Sequence, residues 1–484
     1  MAGPWAAVVE THTAALFFAG DLVFKVKKPV ALDFVDLTTM EDRRRACDAE
    51  VSLNRRLAPD VYLGVAELAL PSGPLEHAVV MRRLPAHLSL SARIDACGEQ
   101  LDESVADLAG LLANFHQRCP RVGVELPREL WAPPIDLWRE EISRCAALHA
   151  DQLPTTQLHR ALCLAERYAD ERRELFVSRL DLGLVREGHG DLLADDIYMM
   201  PDGPRVLDCL EFDQRLRICD VLHDLSFLVM DLEHRDRQDL ADVLVRRYGA
   251  LMPEQHPATL LHFFVAHRAL IRAKVHAIRA EQRGDAVDGA PAALLALALR
   301  HLEEAQVRLV LLGGLPGAGK TTLAGQLASR LPAVHLSSDR IRDELAPADS
   351  ELSGFDSGRY QPSITDAVYA EMLRRAVVLL RAGEHVVLDA SWQSEARRAA
   401  AARAVAEAGA VTVEIEATAD ESVAVQRLVD RPRVRGGSEA TVEVRQEMRR
   451  RFAPWQTATQ VATTHGTGEA MEAVMAAIRV AGIR

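Results

Sequence analysis

The sequence predicts two mixed domains in tandem: an N-terminal α+β domain of two lobes and a C-terminal α/β domain with a parallel sheet. Three observations predict this. The 484-residue chain is too long for one ordinary core, because domains run to roughly 100–200 residues each. A strand, a glycine-rich loop and a helix follow directly on one another from Arg308. Far upstream, a Lys-bearing strand and a Glu-bearing helix precede an acidic loop and a hairpin, read in HGDLLADDIYMM, PDGP and RVLDCLEF.

The composition is that of globular proteins, 49% hydrophobic and 26% charged. No apolar run reaches the ~18–20 residues needed to cross a bilayer, and MAGPWAAVVE lacks the basic and apolar regions of a secretory signal. We therefore expect no membrane span and a cytoplasmic location. The seven cysteines include no CxxC pair and are odd in number, which argues against a disulfide framework or a cysteine zinc site. The net charge is −13, and the two signs balance after residue 305, so the negative excess is N-terminal. Such a surface suits nucleic acid poorly, because phosphate neutralisation needs clustered Lys and Arg. Of 57 basic residues only Lys25, Lys27, Lys28, Lys274 and Lys320 are Lys. A compact point charge kept against that bias marks places where it matters.

The polar segment EQRGDAVDGAPAA, from Glu281, marks the join, and LLALALRHLEEAQ after it reads as a helix. The expected division is 1–285, a linker helix over 286–306, and 307–484.

In the first domain, DLVFKVKKPV alternates, so Lys25 and Lys27 share a face before Pro29 ends the strand. The helix in TTMEDRRRACDAEVSLNRRLAP opens with a Thr38-x-x-Glu41 capping box and turns Ala46, Glu50, Leu53 and Leu57 inward. A carboxylate on that stripe needs a partner, and a Lys on the preceding strand supplies one. Protein-kinase-like folds use such a strand Lys and helix Glu to hold ATP phosphates. His189-Gly190-Asp191 then places Asp191 before a hairpin with Asp208 on its second strand.

Together these motifs resemble the aminoglycoside phosphotransferase-like family over about residues 10–280, with Asp220 and Asp224 of CDVLHDLSFL matching the motif that braces its catalytic loop. The resemblance implies a protein-kinase-like bilobal fold using ATP and Mg2+. Lys25, Lys27 and Glu50 would serve the nucleotide, Asp191 would orient the hydroxyl, and Asp208 would bind metal. The family's HGDxxxxN loop ends in a metal-binding Asn where this chain has Asp196. Asp keeps a hard oxygen at the same reach, which magnesium accepts. The alternatives are a degenerate loop, or Asp195 as ligand if the loop is shifted by one residue. HFFVAHRALIRAKVHAIRA puts His267, Arg268, Arg272 and Lys274 on a late helix, read as a buttress with exposed cations or as a phosphate contact.

In the second domain, RLVLLGGLPGAGKTTLAGQLASRL carries Gly314-x-x-x-x-Gly319-Lys320-Thr321 between strand and helix. Gly314, Gly317 and Gly319 let backbone N–H groups converge on phosphates, Lys320 reaches the β and γ oxygens, and Thr321, followed by Thr322, ligates magnesium. Asp339 and Arg342 share a helical face and suit a hydroxyl acceptor, the alternative being a helix cap beside a solvated Arg. Asp389 ends a buried strand, near the magnesium or in a plain turn. QRLVDRPRVRGG offers Arg427, Arg431, Arg433 and Arg435 as a mobile basic lid or a solvated face. These features resemble small P-loop kinases similar to polynucleotide kinase, gluconate kinase and the zeta-toxin group, over about residues 307–455.

The combined expectation is an ATP- and Mg2+-dependent phosphotransferase with two nucleotide sites, acting on hydroxyls of small molecules such as an aminosugar or a nucleoside-like acceptor. The rival readings are a regulatory pseudokinase joined to one working P-loop kinase, and a nucleotide-gated binding protein without transfer.

Overall fold

Alternation in Leu22–Lys27 builds the middle strand of a five-stranded antiparallel sheet, ordered Ala6–Glu10, Ala14–Ala19, Leu22–Lys27, Leu75–Arg82, Tyr62–Ala69. The computed structural model describes residues 6–11, 13–32, 35–69, 75–96, 101–147, 152–254, 256–283, 289–345, 360–430 and 440–481. Val23 packs with Cys47, Val51, Tyr62, Val79 and Met81. Because side chains alternate along a strand, Lys25 and Lys27 share the inner face with Val23.

The helix over that face, Met40–Asn54, starts one residue later than its capping box suggests. Its cap is Thr39, which accepts from the Asp42 N–H at 3.1 Å, while the Thr38 N–H donates to Asp36 at 2.9 Å. The buried stripe is Arg43, Cys47, Glu50, Val51 and Asn54, so Glu50 faces inward as expected but Ala46 and Leu53 do not define the face. Leu57 is buried beyond the helix end. The expectation failed because an arginine occupies the stripe: Arg43 pairs with Glu76 at 2.7 Å and donates to the Leu37 and Thr38 carbonyls at 2.9 Å, which satisfies its charge out of water.

Beyond the sheet, the first domain is mostly helical. Leu101–Arg118 packs on Gln238–Leu251, and Val221–His234 is buried from Val221 to Leu232. The PDGP turn closes an antiparallel hairpin, Ile197–Met200 with Gly203–Val206. Asp208 lies two residues past that second strand, which corrects its expected place on it.

By its contacts the chain forms two compact units. Unit 1 is Met1–His159, Phe176–His256 and Phe264–Ala298; unit 2 is Arg160–Leu175, Pro257–Phe263 and Leu299–Arg484. The expected linker contains the helix Ala290–Glu304, and its residues 286–288 lie outside the described residues.

Unit 2 has a five-stranded parallel sheet ordered Ala333–Ser337, His385–Asp389, Arg308–Gly313, Val411–Thr418, Thr459–Ala462. Its central strand Arg308–Gly313 is buried at every position, as expected for a parallel strand covered on both faces. Leu323 and Leu327 of the helix Lys320–Arg330, and Met471, Val474 and Ile478 of the helix Gly468–Ala481, pack on Val310, Leu312, Val413 and Ile415. Two segments read from sequence as part of the first domain belong here: Arg172 donates to the Ala408 and Gly409 carbonyls at 2.9 Å, Thr259 donates to the Gly383 carbonyl at 2.6 Å, and Tyr168 stacks on Phe263.

Leu311 is fully buried in the central strand, whereas Val378 is 59% exposed. Leu311→Ala should cost unit 2 about 2–5 kcal/mol and Val378→Ala no more than about 0.5 kcal/mol, measured by urea unfolding.

Candidate active sites

The first candidate site begins with a fully buried carboxylate. Glu50 is held between two lysines, with Lys25 Nζ 2.8 Å from Oε1 and Lys27 Nζ 2.6 Å from Oε2. Lys25 also reaches Asp208 Oδ1 at 2.8 Å, and Lys27 pairs with Glu211. Burial pushes the Glu50 carboxyl up, but Lys25 and Lys27 outweigh it and hold the group below its usual range. Burial alone would lower the Lys25 pKa; Asp208 and Glu50 raise it well above the ordinary value instead. Lys25 differs from Lys27 in access, its side chain being 12% exposed against 1%. Glu211 carries no motif in the sequence, although the second lysine on the face of Lys25 signals a need for a second acid.

The loop His189-Gly190-Asp191 is fixed by one residue of the helix Val221–His234. Asp224 accepts from the His189 and Gly190 backbone N–H groups at 2.7 and 2.8 Å and bonds His116 Nε2 at 3.0 Å. Burial raises the Asp224 carboxyl, yet the His116 bond, His116 and His189 together hold it well below the usual range. A Cβ at Gly188 would fall 2.3 Å from Asp224 Oδ2, so the loop approaches as only glycine permits. Asp231 accepts from the Ala194 N–H at 2.8 Å, and Asn54 accepts from the Cys209 N–H at 2.9 Å. Asp220 plays a different part, pairing with Arg179 at 2.5 Å and capping the helix at Leu222.

Three carboxylates remain where the loop and the hairpin end converge. Asp191 is pushed up to about 6 by burial, with Arg272 opposing and Asp208 adding to the rise. Asp196 is raised well above its usual value by burial and then by Asp208, Asp191 and Asp195. Neither side chain hydrogen-bonds to another described residue. Asp195 instead pairs with Arg235 at 3.0 Å. On the late helix, His267 and Arg268 are buried, Lys274 pairs with Glu141 at 2.8 Å, and Arg272 acts electrostatically on Asp191, so this helix is not simply a row of exposed cations. Carboxylates that raise one another in this way fit a divalent cation, which relieves the repulsion directly.

The second candidate site lies at the carboxyl ends of the parallel strands, where open α/β sheets bind ligands. Gly314, Gly317 and Gly319 all have positive φ, 128°, 82° and 80°. A Cβ at Gly314 would stand 2.3 Å from the Ala417 carbonyl oxygen, and one at Gly317 2.5 Å from that of Ala424. The helix starts at Lys320, whose Nζ bonds the Leu315 carbonyl at 3.2 Å, and Thr321 and Thr322 are exposed. Arg427 is tied down, donating to the Thr463 carbonyl at 2.7 Å, to Thr463 Oγ1 at 3.0 Å and to the Gly317 carbonyl at 3.4 Å. It therefore buttresses the loop and is not a swinging lid; Arg431, Arg433 and Arg435 lie outside the described residues. Gly317, Gly319, Thr322, Arg427 and Thr463 border a cleft of about 810 Å³.

Parallel pairing of Ser337 with Asp389 and of Leu312 with Asp389 brings the two strand ends beside the loop. Asp389 is buried with His335 Nε2 at 3.5 Å. Asp339 and Arg342 lie on the helix Ser338–Leu345, and Arg342 is buried under the Tyr360 ring, bonding Thr365 at 3.3 Å. Arg445 and Thr463 were missed in the sequence. Arg445 donates to the Pro316 carbonyl and pairs with Glu421 at 2.9 Å. Both lie more than 100 residues from the glycine loop, with no motif of their own.

Fold and sites define the class: a protein-kinase-like bilobal unit joined to a P-loop NTPase unit. An AAA domain family model matches residues 309–455. The chain is 38% identical over 466 residues to the uncharacterized protein Rv2004c of Mycobacterium tuberculosis, covering 95% of this chain and 93% of that protein, and it belongs to the same family. Among solved structures, the choline kinase LicA of Streptococcus pneumoniae is 14% identical, with a TM-score of 0.39, over 61% of this chain and 93% of that one. The APS kinase CysC of Mycobacterium tuberculosis is 18% identical, with a TM-score of 0.28, over 36% and 98%.

Glu50→Ala removes the buried carboxylate that Lys25 and Lys27 share and should cost about 3–5 kcal/mol, against at most about 1 kcal/mol for Glu41→Ala in an exposed pair, compared by urea denaturation. Gly314→Ala should cost unit 2 at least about 1 kcal/mol, because its Cβ would strike the Ala417 carbonyl, again measured by urea denaturation.

Proposed function

We propose that the protein is an ATP- and Mg2+-dependent phosphotransferase with two nucleotide sites, each delivering phosphate to a small-molecule hydroxyl. The observation that carries this reading is the crowding of Asp191, Asp196 and Asp208 beside Lys25. Three carboxylates and a lysine gathered where the loop meets the hairpin end match the parts that phosphoryl transfer requires, and they support a working loop despite the Asp196 departure.

In unit 1, Asp191 orients the acceptor hydroxyl and takes its proton as the oxygen bonds to the γ-phosphorus and ADP leaves. A carboxyl poised at about 6 suits that task near neutral pH. Asp208 and Asp196 hold magnesium; when bound, the ion neutralises charge on the transferring phosphoryl group. Lys25, the more accessible of the two lysines, reaches the phosphates while Glu50 fixes its position. Lys27 and Glu211 complete the charge balance beneath it. In unit 2, the glycine loop and Lys320 cradle phosphates, Thr321 and Asp389 serve magnesium, and Asp339 with Arg342 serves the acceptor. The negative excess of the N-terminal half favours a cationic acceptor such as an aminosugar at the first site.

The test is mass spectrometry of a metabolite extract supplemented with aminosugars after incubation with MgATP and the intact protein, Asp191→Asn or Asp339→Asn. Each variant should abolish its own set of phosphorylated products. Products lost only with Asp339→Asn would make unit 1 a pseudokinase, and no products from the intact protein would leave a binding protein. In a Lys320→Ala background, unit 1 activity should fall as pH drops through about 6, because Asp191 must be ionised to accept the proton. Asp196→Asn should keep product formation within about tenfold while Asp196→Ala abolishes it, since only the former retains a ligand oxygen.

A further inference from the structure

Away from both sites, two helices bring three potential metal ligands together in unit 2. His262 lies on the helix Ala258–Arg283, and His301 and Glu304 lie one turn apart at the end of Ala290–Glu304. His262 Nδ1 is 2.9 Å from His301 Nδ1 and 3.3 Å from Glu304 Oε2, and His301 Nδ1 is 3.9 Å from the same oxygen. His301 is buried, His262 half-buried and Glu304 exposed.

Hydrogen bonding handles this arrangement poorly. Two neutral imidazoles facing through Nδ1 share one proton, because one nitrogen must be bare to accept. The carboxylate oxygen beside them is a third acceptor aimed at the same point. A divalent cation takes all three lone pairs at once. Tetrahedral zinc, with ligand bonds of about 2.0–2.1 Å, spaces its donors about 3.3 Å apart, and the observed separations straddle that value.

We propose that His262, His301 and Glu304 form a site for a zinc-class divalent transition-metal ion, with the remaining position open to solvent beside Glu304. Two imidazoles and one carboxylate select such an ion over magnesium or calcium, which prefer oxygen alone. Arg308, which acts electrostatically on His262, spends its guanidinium on the Glu303 and Gln306 carbonyls at 2.9 Å and on that of Glu304 at 3.4 Å, and the Glu304 carboxylate offsets part of its charge. The chain passes from Glu304 into the strand beginning at Arg308, so the ion would clamp the amino-terminal end of the sheet, opposite the phosphate loop. Its role is structural: it pins two helices to the base of the strand that leads into the Gly314–Gly319 loop.

The test uses the full chain, stripped with chelator and reloaded with Zn2+ in excess Mg2+, which occupies the all-oxygen sites. Metal analysis should find one zinc per chain after desalting, and Tm should rise by about 5–10 °C at free zinc near about 100 times Kd. His262→Gln and Glu304→Gln, both at accessible positions, should each weaken zinc by at least about 100-fold while leaving MgATP binding intact. Asp208→Asn should keep the zinc. An absence of zinc in the wild-type chain, retention in both ligand variants, or loss in Asp208→Asn would overturn the proposal. Independently of any variant, the wild-type Co2+ form should show the intense visible bands of a low-coordinate imidazole site; a weak octahedral spectrum would overturn it.

Discussion

A carboxylate removed from water must be neutralised where it lies, and Glu50 imposes that condition on the whole first unit. Its two oxygens take one lysine each from a single strand face, which sets the register of the helix Met40–Asn54 on the sheet. The same ammonium groups extend to Asp208 and Glu211. The segment after the hairpin is thereby tied to the sheet through charge, with the Asn54 bond to the Cys209 N–H and the Tyr62 bond to the Asp208 N–H as neutral supports. Moving any one of these elements would break part of this charge network, so the helix, the strand and the segment after the hairpin are held in one arrangement.

The second unit reaches its geometry by a different constraint, the closeness of backbone to backbone. Gly314 and Gly317 lie where any side chain would strike the Ala417 or Ala424 carbonyl. Arginines then hold the loop from outside: Arg427 and Arg445 donate to the carbonyls of Gly317 and Pro316, which turns the loop's N–H groups away from those partners. Thr463 donates to the Ala318 carbonyl at 2.9 Å and completes the collar. Around this loop Arg427 spends its charge on main-chain oxygens, and Arg445 divides its own between the Pro316 carbonyl and Glu421.

The parts legible in the sequence are those that combine a period with a chemical type. Alternation around Lys25, the Glu on an apolar stripe, the HGD loop before a hairpin and the glycine spacing after a buried strand each join a local pattern to a residue that needs a partner. The helix face around Glu50 was misdrawn because Arg43 occupies a core position that an apolar residue is expected to fill. Asp224 was read correctly as a brace, whereas Asp220 braces Arg179 and its own helix. Glu211, Arg445 and Thr463 were not legible, since their roles arise from contacts across 100 residues or more with no spacing rule to announce them. His262 and His301 are 39 residues apart, on helices whose juxtaposition only the fold supplies.

Asp208 adopts φ of 61°, in the left-handed region that Asp, Asn and Gly tolerate and β-branched residues do not. The backbone therefore narrows the position before its chemistry is considered. A lineage in which this site decayed would have few steps open to it at position 208: Asn, which keeps an oxygen but loses the charge, or Gly, which loses both. Drift through the common hydrophobic replacements is closed off by conformation. The mutational history of such a site would thus be written in two letters, and reading them would separate a retuned enzyme from an abandoned one.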